Sequence, residues 1–173
     1  MLYPFSGMKD VPQHLLDAAS ERGSRVHEAI LALEQGIGLA ELNKNYEGYL
    51  ASYELWASGR EFLPCPDRFY DDELMITGEI DGIMQDGDDL VIVDYKTSAK
   101  ESKTWSIQAS AYSYMAKKVG YDIKKILFIK LDKEGKEPSV FTYQEDMETF
   151  KKVLFTYRYF FKDKDEENPM DHI

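Results

Sequence analysis

A chain of 173 residues with 43% hydrophobic and 31% charged residues has the composition of a soluble globular protein, expected as a single domain over 1–173, and lacks the roughly 18 consecutive apolar residues of a membrane span. A net charge of -11 excludes holding a polyanion by bulk attraction, which needs clustered Lys and Arg. The lone Cys65 excludes an internal disulfide and any four-cysteine zinc or iron–sulphur centre built from this chain.

Helical spacing runs from about Val11 to Gln35, where Val26, Ile30 and Leu33 form one stripe, and stops at Gly36 and Gly38. A second helix carries Leu42, Tyr46, Tyr49, Tyr53 and Trp56 and closes at Gly59. These aromatic rings suit either core packing or base stacking, and their alignment with Leu42 favours the core. The period then changes to two, and strands are predicted near Arg60–Leu63, Arg68–Tyr70, Leu74–Met84 and Leu90–Lys96. A helix over Lys103–Val119 is stopped by Gly120. A strand at Ile123–Leu131, a turn at Glu134-Gly135-Lys136, a strand at Ser139–Tyr143 and a helix over Gln144–Lys162 follow, with an acidic tail from about 163 to 173. This order predicts an α/β fold with a central mixed sheet flanked by helices. The start of the chain shows no export signal, so a cytoplasmic location is expected.

Charge is unevenly spread. From Pro66 to Asp94 it is acidic apart from Arg68, whereas ten lysines fall between Lys96 and Lys136. That contrast suits a cation site beside a polyanion path, or simply two solvated surfaces. The informative stretch runs from Gly78-Glu79-Ile80-Asp81 through a turn at Asp86–Asp89 to the apolar run ending Asp94-Tyr95-Lys96-Thr97. Alternation places Asp94 and Lys96 on one face of their strand. A two-residue loop at Asp86-Gly87 would set Asp81 diagonal to Asp94, a four-residue loop at Asp86–Asp89 would set them opposite, and an odd loop would part them. Two carboxylates crowded on a sheet favour a bound divalent cation, Mg²⁺ or Mn²⁺, with Lys96 beside the phosphate it polarises; a purely structural ion-pair network is the alternative. Glu79 is left open between a supporting carboxylate and a solvated one.

These residues resemble the core of the PD-(D/E)xK nuclease superfamily, most closely its RecB-like exonuclease branch. Arg22-Gly23-Ser24-Arg25-Val26-His27 resembles the branch's His-bearing helix, and Gln108-Ala-Ser-Ala-Tyr112 its Gln-x-x-x-Tyr element. Asp94 stands where many relatives carry Glu. The resemblance implies a restriction-endonuclease-like core. It implies one or two Mg²⁺ or Mn²⁺ ions held by His27, Asp81, Asp94 and the Tyr95 carbonyl, and no iron–sulphur cluster. Lys96, Asp94, Asp81, Gln108 and Tyr112 would be catalytic, and Thr97, Ser98, Lys100, Lys103, Arg22 and Arg25 would meet substrate. The implied activity is phosphodiester hydrolysis at DNA ends or in single strands, in recombination, repair or a phage-like setting. A structure-specific or RNA endonuclease and an inactive interaction module are the other readings.

Overall fold

The computed structural model describes residues 11–37 and 44–161. Leu42, Gly38, Lys162 and the acidic tail lie outside them. The stripes and alternations become α1 (Gln13–Glu34), a 3-10 turn (Lys44–Tyr46), α2 (Glu47–Ala57), β1 (Glu61–Leu63), β2 (Phe69–Asp71), β3 (Ile76–Gly78), β4 (Gly82–Asp86), β5 (Asp89–Lys96), α3 (Thr104–Lys118), β6 (Ile123–Lys130), β7 (Ser139–Tyr143) and α4 (Met147–Phe161). No helix among the described residues is long and apolar enough to cross a membrane.

Five strands form one mixed sheet in the order β1-β4-β5-β6-β7, with β5 and β6 parallel and the other neighbours antiparallel. β5 is the central strand, and its run Val91-Ile92-Val93 is fully buried because helices cover both faces. On one face, Val91, Val93 and Tyr95 meet Val26 and Ile30 of α1 and Tyr49, Tyr53 and Trp56 of α2, so the aromatic stripe packs in the core. On the other, Ile92, Ile126 and Phe128 meet Trp105, Tyr112 and Met115 of α3 and Phe150 and Leu154 of α4. This is the expected restriction-endonuclease-like arrangement.

The strand expected over Leu74–Met84 is in fact two. β3 pairs with β2 in a separate hairpin, and the chain breaks at Glu79-Ile80-Asp81 before β4 joins the main sheet. Alternation looks the same on either side of such a break, so its period cannot report a change of sheet. Neither expected loop forms in the β4–β5 hairpin. Gln85 faces Leu90, as the longer loop required, but Asp86 also pairs with Asp89, leaving only Gly87-Asp88 in the turn. Gly87 has φ 63°, as a turn with glycine at its first central position demands. With Gly82 opposite Val93, one further step along the strands sets Asp81 against Asp94.

Two contacts hold the frame around this hairpin. Asp71 is buried, takes the Leu74 N–H at 2.6 Å and pairs with Lys118 at 2.5 Å, tying the β2–β3 hairpin to the end of α3. At Gly48, a Cβ would stand 1.9 Å from the carbonyl oxygen of Lys133, so α2 meets the β6–β7 turn backbone to backbone.

Alanine normally stabilises a helix interior by about 1 kcal/mol over glycine. Gly48→Ala is expected to reverse that sign and lose roughly 1–3 kcal/mol through overpacking, read as a lower midpoint of urea unfolding. An unchanged or raised midpoint would refute the backbone contact. Burial opposes ionisation of Asp71, but Lys118 and the Leu74 N–H outweigh it and hold its carboxyl below the usual range. A folded pKa below the unfolded one gives stability that is full above the unfolded value and lost as pH falls through the folded one. Asp71→Asn should therefore flatten the acid limb of a thermal-stability profile, and an identical limb in wild type and variant would count against this ion pair.

Candidate active site

Asp81 sits just before β4 and its two carboxylate oxygens go to different elements. Oδ2 accepts the Tyr95 N–H at 2.6 Å, and Oδ1 lies 2.9 Å from Nδ1 of His27 on α1. The other ring nitrogen of His27 lies 2.8 Å from the Tyr95 carbonyl oxygen. Both ring nitrogens thus face acceptors, which an imidazolium satisfies and a neutral ring cannot. Burial pulls the His27 pKa down, but Asp81 and, less strongly, Asp94 overcome it and raise it to about 9. Gly23, one turn before His27, also faces Thr97, and a Cβ there would still make only an ordinary contact, 3.9 Å from the threonine hydroxyl oxygen.

On the α3 face, Lys96 Nζ stands 2.6 Å from Asp94 Oδ2, donates to Gln108 Oε1 at 2.9 Å and lies 4.8 Å from the centre of the Phe128 ring. Gln108 Nε2 in turn donates to the Tyr112 hydroxyl at 2.6 Å. Asp94 is 2% exposed, and burial lifts its carboxyl to about 6 against the opposing pull of Lys96. The Lys96 ammonium is thus the charge that meets the buried Asp94 Oδ2. Asp81, Asp94, His27 and Lys96 balance as two anions and two cations within one cluster.

The structure brings together His27, Asp81, Asp94, Tyr95, Lys96, Gln108 and Tyr112. Thr97 and Ser98 continue β5 at the rim, where Ser98 Oγ donates to the Lys100 carbonyl at 2.9 Å, and Lys100 and Lys103 are exposed. Arg22 has a buried Nε with no partner among the described residues. Arg25 stays apart, exposed and paired with Glu28 at 3.1 Å. Glu79 is also exposed, and bonds Arg68.

No three of His, Cys, Asp and Glu among the described residues stand as a ready ligand group. Each acid instead meets a cation of the protein itself. The donor types still suit a divalent ion, because Asp81 touches His27, His27 touches the Tyr95 carbonyl and Asp94 precedes Tyr95 on β5, and an ion would be held there once His27 gives up the proton it holds towards Asp81.

A family model described as the PD-(D/E)XK nuclease superfamily matches residues 50–166, more than half of the chain. The chain belongs to this superfamily. Nucleases of the superfamily act on nucleic acid and generally use divalent metals, and the matched span carries Asp81, Asp94, Lys96, Gln108 and Tyr112, while His27 lies before it. No curated protein matches the chain.

Glu34 escapes a reading by motif. Its Oε1 accepts the hydroxyls of Tyr53 at 3.0 Å and Tyr95 at 3.3 Å, gripping the Tyr95 side chain beneath the site. The available signal was its position two helical turns after His27. Gly78 has a role that the Gly-x-x-Asp pattern alone does not disclose. A Cβ there would stand 2.8 Å from Tyr112 Cε1 and 2.9 Å from Met115 Cε, so the missing side chain is the seat of the Tyr112 ring.

Gly78→Ala should push that ring away, break the Gln108–Tyr112 bond and free Lys96 on one side. The expected result is a roughly 10- to 100-fold lower kcat for nucleic-acid hydrolysis in protein that is still folded. Full kcat in a folded Gly78→Ala would show that the seat does not matter.

Proposed function

We propose that this protein is a Mg²⁺- or Mn²⁺-dependent DNA exonuclease that hydrolyses phosphodiester bonds at DNA ends or in single strands. The observation that carries the hydrolytic site is the meeting of Asp81, Asp94 and Lys96 at the β4–β5 hairpin, with His27 closing the cluster from α1. The end-directed reading is supported by the pairing of a His-bearing helix with Gln108-x-x-x-Tyr112. Both elements reach the same cluster, as the resemblance to RecB-like exonucleases implies.

Asp81, Asp94, the Tyr95 carbonyl and His27 are the groups that would hold the ion. When bound, the ion supplies Lewis-acid polarisation of the phosphate and makes water a better nucleophile. Lys96, fixed between Asp94 and Gln108, offsets charge that grows on the phosphate oxygens and orients the attacking water by an N–H bond. Gln108 and Tyr112 hold the lysine so that this donor is in place before substrate arrives. Thr97, Ser98, Lys100 and Lys103 offer hydroxyl and ammonium donors to the phosphates on either side of the cut, and Arg22 offers its guanidinium from α1.

End-labelled single-stranded DNA, duplex with free ends, closed circular DNA and RNA, each with Mg²⁺ or Mn²⁺, give the test. Linear DNA should be degraded, closed circles and RNA spared, and EDTA should stop the reaction. Lys96→Ala and Asp94→Ala should each lower kcat on the order of 10²–10³-fold. Cleavage of closed circles would sink the exonuclease reading, and undiminished activity in Lys96→Ala would sink the site.

A further inference from the structure

We propose that Lys130 is a second phosphate-binding lysine, which takes the backbone phosphate next to the one at Lys96 and leads the nucleic-acid strand across the carboxyl ends of β5 and β6. The inference rests on the nuclease reading and adds the course of the substrate.

Lys130 is the last residue of β6, and the parallel ladder pairs it with Lys96. Its face is fixed by its neighbours. Ile126 and Phe128 join the core under α3 while Ile129 and Leu131 join the core under α1 and α2, so Lys130 projects on the side of Asp94 and Lys96. Partners in adjacent strands lie about 4.8 Å apart. Two lysines at that spacing on one face repel each other, a local cost that an anion between or beside them removes.

The two are not equally provided for. Lys96 is neutralised by Asp94 at 2.6 Å, whereas Lys130 has no carboxylate within 4.0 Å among the described residues. Lys44, Lys100, Lys103, Lys133 and Lys151 share this among the described residues, and what sets Lys130 apart is its place on the sheet directly beside Lys96. Elsewhere in β6 and α3, Lys124 pairs with Asp122, Lys125 with Asp86, Lys117 with Glu145 and Lys118 with Asp71. Asp132, two residues on, has its Oδ1 engaged by the N–H groups of Glu134 and Lys136 in the β6–β7 turn and acts on Lys130 only from beyond 4.0 Å. Lys103, at the start of α3, also has no carboxylate partner among the described residues. Positive charge from Lys130 and Lys103 is therefore left without a close carboxylate where two strands end beside the candidate site, while Asp94 is engaged by Lys96 and Asp132 by its own turn.

The experiment compares wild type, Lys130→Ala, Lys130→Gln, Lys130→Arg and, as a control at the other end of β6, Lys124→Ala. Hydrolysis and equilibrium binding of a labelled single-stranded oligonucleotide are measured over a range of NaCl. Lys130→Ala and Lys130→Gln should raise KM and Kd on the order of tenfold with kcat within about twofold, and should lower the slope of log Kd against log salt by about 0.7. Lys130→Arg should restore both, and Lys124→Ala should match wild type. An unchanged Kd and slope in Lys130→Gln, or a loss in kcat alone, would overturn the proposal. Wild type that binds the oligonucleotide through Lys130 but hydrolyses nothing would instead sink the nuclease reading, so the two failures are told apart.

Discussion

One carboxylate joins the three pieces of the candidate site. Asp81 comes from the irregular segment before β4, takes a backbone N–H from β5 and pairs with an imidazole from α1. Charge-assisted bonds of this kind are stronger than neutral ones, and a buried acid left without them is costly. That pairing adds a polar contact to the apolar packing of Val26 and Ile30 that seats α1 on the sheet. Without it, His27 and the end of β5 would keep only the contact between the ring and the Tyr95 carbonyl.

The cluster is also braced from both sides of the sheet. On the α1 and α2 face, the Tyr95 ring lies edge-on to Tyr53 and Trp56, with ring centres 5.3 and 6.1 Å away, and its hydroxyl meets Glu34. The main-chain groups of Tyr95 that face Asp81 and His27 are thereby held by core packing. On the α3 face, the line from Lys96 through Gln108 to Tyr112 ends on the gap at Gly78. Partial burial there makes each polar contact matter, since the surroundings screen it less than bulk water would. Core and site are in this sense one piece of packing, seen from its apolar and its polar ends.

Much of this was legible beforehand because it depends on short-range periodicity. The alternation in Val91–Lys96 put Asp94 and Lys96 on one face, and four-residue spacing put Gln108 and Tyr112 on one side of their helix. The predicted helix over Lys103–Val119 ends one residue sooner, at Lys118, which leaves Val119 54% exposed. What stayed hidden depends on contacts between distant segments. The break at Glu79–Asp81, the grip of Glu34 on Tyr95 and the place of Lys130 beside Lys96 appear only when the strands are paired. Arg25 is exposed and paired with Glu28, a contact that the motif alone does not disclose.

The Gly87-Asp88 turn gives the hairpin an unusual intolerance. Six residues separate Gly87 from Asp81, about 20 Å of extended chain, so the turn lies remote from the chemistry. Yet β4 reaches its place opposite β5 only by counting back from that bend. Losing or gaining one residue there would offset the count and turn Asp81 away from Asp94, while every amino acid of the cluster was still encoded. Length at this distant bend is thus under the same constraint as identity at the cluster, and related chains that keep the chemistry should vary in the bend's composition far more readily than in its size.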